Sequence, residues 1–168
     1  MPQKTAMTDM IRWATAADYD ELGRVMYDAV RNGASLYDEA QRAAWIEAPR
    51  TDPEWRERLA RQAVIVEADG PRIAGFLSLA PDGYVDFAYV RAPAQGRGLF
   101  RRLYERLQDQ ALADGLAELS THASLMARPA FAAVGFHVVK PERIEMRGQW
   151  FDRFEMRKSL VNGHSCKT

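Results

Sequence analysis

The stretch Val90-Arg-Ala-Pro-Ala-Gln-Gly-Arg-Gly-Leu-Phe-Arg-Arg102 sets two glycines between an apolar, strand-like run and an amphipathic, helix-like one. Glycines at Gly96 and Gly98 let the backbone turn sharply and approach a ligand closely. A helix opening directly behind them leaves its first N–H groups without partners. Those donors, aligned with the helix dipole, make an anion site suited to phosphate. Arg97, Arg101 and Arg102 add positive charge at the same end. Two other phosphate-binding patterns do not fit. The Gly-Lys-Ser/Thr of a P-loop is absent, and Arg101 stands where a dinucleotide fingerprint needs its third glycine.

Three further residues have chemistry to offer. Asp86 interrupts the apolar run Tyr84-Val-Asp-Phe-Ala-Tyr-Val90, and strand alternation puts it on the face of Tyr84 and Ala88. A carboxylate there is a candidate general base, although a solvated strand face accounts for it equally well. His122, late in a later strand, and Ser124, just before a helix, are the other two polar side chains singled out by position. A half-exposed strand residue and a helix cap are their plainer roles.

The 168 residues are 47% hydrophobic and 10% aromatic, enough to fill the core of one domain and too ordered a composition for a linker. Lys plus Arg and Asp plus Glu each number 23, so no bulk charge draws the chain to nucleic acid or to an anionic membrane. Cys166 is the sole cysteine, which excludes an intramolecular disulfide and a cysteine metal cage. No apolar run resembles a signal peptide or reaches the ~20 residues of a membrane span, so a cytoplasmic, metal-free domain is expected. Charge is nevertheless polarised. Seven acids against three arginines lie between Asp18 and Glu47, and five arginines against one acid between Arg91 and Arg106.

Periodicity supplies the elements that must hold these residues. Thr15 to Asp18 reads as a capping box for a helix ending at Asn32-Gly33. Further helices are expected from Asp38 to Ile46 and from Thr51-Asp-Pro-Glu54 onward. Runs at Ala63–Ala68, Ile73–Leu79 and Tyr84–Val90, joined by Asp69-Gly70 and Asp82-Gly83, form an antiparallel meander. A helix over Leu99–Leu112, a strand over Leu116–Thr121, a helix ending at Val134-Gly135 and a hairpin around Gly148-Gln149 complete one α/β (α+β) domain over 11–160, between tails 1–10 and 161–168.

With Val90-Arg-Ala-Pro93 ending a strand and Gln95-Gly-Arg-Gly-Leu-Phe100 following, the chain resembles the GNAT superfamily of N-acetyltransferases. Ala123-Ser124, Ala127-Arg-Pro129 and Phe131, with Met156-x-Lys-x-Leu160, are similar to a bacterial acetyltransferase subgroup. The resemblance implies a mixed, mostly antiparallel sheet flanked by helices, splayed between the strand before the loop and the strand after its helix. It implies acetyl-CoA as cosubstrate, with pantetheine along Ala88, Tyr89 and Val90 and pyrophosphate over Gln95, Gly96, Arg97, Gly98, Leu99, Phe100 and Arg101. Ser124 and Phe131 are expected beside the same cofactor. Phe100 stands where a small residue is usual, and Phe131 where a proton-donating tyrosine is common.

Acetyl transfer to an amine needs a base, because an alkylammonium ordinarily loses its proton near pH ~10.4. Asp86 is the first candidate, with Tyr84 at the position some members use. Ser124 and His122 are candidates for the acid. Tyr27, Tyr37 and Trp45 are expected to wall the acceptor site, their aromatic faces and the nearby acids suiting a cationic amine. The expected partners are acetyl-CoA and, as acceptor, a primary amine of a small molecule or of a peptide or protein, with no nucleic acid or membrane; a homodimer is compatible with the resemblance. A non-catalytic acyl-CoA-binding module, prompted by Phe131, is the alternative, and an arginine-based nucleic-acid module lacks a recognition motif.

Overall fold

The structure, a computed structural model, describes residues 10–161; Cys166 and the distal parts of both expected tails lie outside them. Seven strands form one sheet in the order β1-β2-β3-β4-β5-β7-β6. The strands are β1 (Ile11–Trp13), β2 (Ala63–Asp69), β3 (Arg72–Leu79), β4 (Tyr84–Val90), β5 (Glu118–Ser124), β6 (His137–Met146) and β7 (Gln149–Ser159). Every pairing is antiparallel except β4 with β5. The helices are α1 (Tyr19–Asn32), α2 (Glu39–Trp45), α3 (Pro53–Ala60), α4 (Leu99–Ala113) and α5 (Ala127–Ala133).

Two apolar clusters hold these layers together. Leu103, Leu107 and Phe131 pack from α4 and α5 onto Leu77, Leu79 and Leu119 of one sheet face. Leu22, Val25, Trp55 and Leu59 of α1 and α3 cover Val66, Ile73 and Phe76 on the other. The helix starts follow local chemistry: Asp38 and Asp52 accept from the backbone N–H groups of Gln41 and Trp55, and Pro53 occupies the first turn of α3.

Three boundaries depart from the sequence reading. Strand β1 was not expected, since three residues carry too little pattern; pairing with Ile65–Glu67 makes it a strand. β5 runs further toward Ser124 than the expected Leu116–Thr121. The final hairpin turns at Arg147-Gly148 rather than at Gly148-Gln149, and its first strand begins already at His137. That strand lies on the sheet edge, where Pro141 and mostly exposed side chains are tolerated and no alternation marks it.

The Thr15–Asp18 box closes a short 3-10 turn ahead of α1, with Thr15 N–H donating to Asp18 Oδ2 at 2.8 Å. Arg12 of β1 also grips Asp18 through two hydrogen bonds of 2.8 and 2.9 Å, holding its carboxyl below the usual carboxylate range. A depressed carboxylate stabilises the fold above its unfolded pKa, and this is lost as pH falls through the folded value. Asp18→Asn is therefore expected to lower stability by about 1–2 kcal/mol at neutral pH, Arg12 being partly solvated. Denaturant titrations should begin to approach wild type below about pH 4 and converge once pH has fallen through the depressed folded value.

Candidate active site

β4 and β5 pair only through Tyr84↔Ser120 and Val85↔Thr121. Thr121 Oγ1 pins that last rung by donating to Val85 O at 2.9 Å. Beyond it the strands part, and no strand among the described residues pairs with β4 on the β5 side from Asp86 to Val90.

A bulge sharpens the opening. Leu79 faces Val85 while Leu77 faces Ala88, so one extra residue of β4 lies between these rungs. Its free N–H, that of Phe87, donates to the fully buried Ser78 Oγ at 2.9 Å. The bulge breaks the alternation expected from the sequence. Ala88 and Val90 pack with the α4 cluster, whereas Phe87 and Tyr89 join the α1/α3 cluster. Asp86 points toward α3, away from Ala88, and the expected shared face of these two is corrected accordingly.

Two cavities, of about 770 and 780 Å³, meet at the parting strands and share Trp45, Asp86, Tyr89 and His122 as walls. The first runs along Ala88, Tyr89 and Val90 to the loop before α4. Gly96 and Gly98 adopt left-handed φ of 76° and 77°, as a non-glycine residue rarely would. Arg102 N–H donates to Gly98 O at 3.2 Å, which leaves the N–H groups of Leu99, Phe100 and Arg101 without a helical acceptor. These donors, with Arg101, fit a diphosphate, and the unpaired edge of β4 fits an amide-bearing arm. Leu99, Phe100, Ser124 and Phe131 also line this cavity, whereas Arg97 does not.

Gln95 lines the cavity too, but its side chain serves the scaffold, donating to Val90 O at 2.9 Å and accepting from Ala34 N–H at 3.3 Å. Gly33 makes room for it: a Cβ there would sit 2.4 Å from Gln95 Nε2. The segment following α1 is thereby drawn against the loop, and Ala34, Ser35 and Leu36 become cavity wall. Sequence reading missed these three, along with Leu125 and Met126, because only the tertiary contact brings them there. Leu36 N–H and Ser35 Oγ both donate to Met126 Sδ, at 3.3 and 3.6 Å.

The second cavity has a charged wall. Asp86 is no free base: Arg58 binds both its oxygens, at 2.7 and 2.5 Å, and Gln62 adds a hydrogen bond of 2.7 Å. Tyr84 and His122, from the two parting strands, are joined instead, Oη to Nδ1 at 2.7 Å. Burial, and then the Asp86 charge, push the Tyr84 phenol up, so it stays protonated at neutral pH. Behind the imidazole, Nε2 faces Glu142 Oε2 at 3.7 Å. Burial alone would raise Glu142, but Arg153 at 2.9 Å, with His122 and Lys140, holds it below the usual range. Glu142 gives no signal in the sequence, because it lies on an edge strand without alternation.

The remaining hydroxyls separate by their partners. Ser124, the last residue of β5, accepts through Oγ from the first N–H of α5, that of Ala127, at 3.1 Å, although the N-cap position itself is Met126. Tyr37 donates to Asp152 O at 2.7 Å and packs on Trp45 and Phe151 beside the first cavity. Tyr89 only accepts, from Trp45 Nε1 at 3.0 Å, and burial pushes its phenol up to about 12. Phe131 is 1% exposed and packs edge-on against Phe100 and Phe136, offering no proton. Of the aromatics expected around the acceptor, only Trp45 lines the second cavity; Tyr27 borders neither. The acidic stretch is also largely spent internally. Asp18, Asp20, Glu21 and Glu39 pair with arginines, Asp28 accepts from Ala92 N–H and Asp38 caps α2.

Residues 31–160 match the family described as the acetyltransferase (GNAT) domain. The chain belongs to the GNAT acetyltransferase family. Membership makes it an acetyl-CoA-dependent acetyltransferase, as the loop and the parted strands imply. It is 33% identical over 148 residues to the uncharacterized N-acetyltransferase YafP of Escherichia coli K12, covering 88% of this chain and 93% of that protein. A GCN5-related N-acetyltransferase structure from Rhodopseudomonas palustris superposes with a TM-score of 0.79 at 26% identity, over 89% of this chain and 94% of the other. The phosphinothricin acetyltransferase of Sinorhizobium meliloti, solved with AcCoA, shares the fold at 20% identity and a TM-score of 0.69, over 94% and 91% of the chains. No helix among the described residues is long and apolar enough to cross a membrane.

Proposed function

We propose that this GNAT acetyltransferase acetylates a primary amine of a small molecule, and that Tyr84 and His122 take the proton the amine must lose. The observation carrying this reading is the meeting of two cavities at Trp45, Asp86, Tyr89 and His122. One has donors for a diphosphate and the other a hydrogen-bonded phenol–imidazole pair.

Acetyl-CoA supplies an activated acyl group and a good leaving thiolate, a thiol ionising near pH ~8.5. Leu99, Phe100 and Arg101 hold its diphosphate through their backbone, and the free edge of β4 from Asp86 to Val90 aligns its arm. On the other side, Tyr84 Oη accepts a proton from the ammonium as its own passes to His122 Nδ1. The imidazolium so formed faces the carboxylate of Glu142, which Arg153 keeps ionised. The freed amine forms the N–C bond while the C–S bond breaks. Tyr89, whose hydroxyl proton has no acceptor among the described residues, donates it to the departing sulfur and regains one from the new amide nitrogen. Asp86 positions rather than reacts, tying β4 to Arg58 and Gln62 of the α3 region.

The test is thiol release from acetyl-CoA across a panel of primary amines, with the acetylated product identified by mass. Amine-dependent release supports the reading; bound acetyl-CoA that no amine turns over refutes it.

A further inference from the structure

Four arginines line the second cavity, and three are neutralised. Arg50 pairs with Asp52, Arg58 with Asp86 and Arg153 with Glu142. Arg147 has no carboxylate within ion-pair distance among the described residues; its one hydrogen bond runs from Nη1 to Ala44 O at 2.9 Å. That bond fixes the guanidinium against the end of α2 and leaves its other donors uncommitted.

The backbone beneath Arg147 is unusual too. Met146 pairs with Gln149, so Arg147-Gly148 is a two-residue hairpin turn, with φ of 50° and 79°. Such turns favour Asn, Asp or Gly at the first position. Arg147 is the one non-glycine residue with positive φ among those described. An arginine kept where the backbone disfavours it points to a use for its side chain. The same cavity also carries Glu47 and Glu54, neither paired with a cation among the described residues. Its uncommitted charges are thus one planar cation and two carboxylates.

We infer that the acceptor is a small amine that also bears a carboxylate, an amino-acid-like zwitterion whose carboxylate Arg147 binds. Resting on the acetyltransferase reading above, this names its substrate class. A guanidinium matches a carboxylate through two parallel hydrogen bonds, and Glu47 and Glu54 favour the ammonium as it enters. The proton then leaves at Tyr84, as already described.

Steady-state kinetics with α-amino acids, their primary amides and the corresponding decarboxylated amines test this. Wild type is expected to favour the carboxylated member at least about tenfold in kcat/KM. Arg147→Gln retains a donor for Ala44 O and should raise KM for that member about 10- to 100-fold with little change in kcat. The decarboxylated amine should be unaffected, and Arg147→Lys should recover part of the loss. Arg147→Gly, the residue this turn prefers, should fold at least as well and show the same loss. Equal use of all three classes by wild type, or an equal effect of Arg147→Gln on all of them, overturns the inference while leaving acetyl transfer standing. If no amine is acetylated, the acetyltransfer reading fails instead. Calorimetric titration of the same compounds into the CoA-loaded protein then decides: carboxylate-selective binding lost in Arg147→Gln supports the inference, and unselective or absent binding overturns it.

Discussion

His122→Ala is expected to lower kcat by about 10²- to 10⁴-fold, the range for loss of a positioned proton acceptor, with acetyl-CoA affinity unchanged. Among the described residues, the imidazole is the only group bordering both cavities that is hydrogen-bonded to a phenol, at 2.7 Å, and backed by an ionised carboxylate. Tyr84→Phe removes the oxygen proposed to meet the amine and should lose a comparable share of kcat. Asp86→Asn supplies the contrast. Its carboxylate already accepts three hydrogen bonds from Arg58 and Gln62, so neutralising it strains a scaffold contact and leaves the proton route in place. Its effect should therefore read mainly as lost thermal stability. Single-turnover rates at saturating amine separate the two cases. A loss in Asp86→Asn as deep as in His122→Ala would return the base to Asp86.

Gly98→Val is expected to weaken CoA binding about 10- to 100-fold. Gly98 sits at φ 77° directly before α4, a conformation costing an ordinary residue about 1–2 kcal/mol and a β-branched one more. Escape from that strain turns the Leu99–Arg101 N–H groups off their common target. Gly98→Asn is the control, since Asn tolerates left-handed φ and should bind within a few-fold of wild type. Isothermal titration with CoA reads both. The space around Gly98 is open, its Cβ position lying 3.6 Å from the tip of Arg102, so a loss in Gly98→Val reports backbone conformation and not a clash.

The sequence was legible where function depends on backbone geometry. The Gly96-Arg97-Gly98 loop, the meander and the amphipathic α4 are local patterns, and the fold follows from them. It was less legible where function depends on partners. Asp86 and His122 were both visible as polar residues in strands, yet nothing local tells that Arg58 and Gln62 occupy the first and Tyr84 and Glu142 flank the second. The bulge at Asp86-Phe87 also has no sequence mark, and it alone separates Asp86 from Ala88. The acidic stretch misled for a related reason. Composition counts charges, whereas the cavity feels only those left unpaired, and of that stretch only Glu47 reaches it. Arg147 gives no signal in the sequence, where alternation ends a strand on it and the turn is expected at Gly148-Gln149; its positive φ appears only with the backbone in view.

Direct transfer requires both cavities to be filled together, since the proposed mechanism brings amine and thioester from opposite sides to Trp45, Asp86, Tyr89 and His122, the residues the two cavities share. Initial velocities measured against amine at several fixed acetyl-CoA concentrations therefore test the account most directly. Double-reciprocal lines that intersect, signifying a ternary complex, are predicted; parallel lines, signifying an acetylated enzyme between two separate half-reactions, would contradict it.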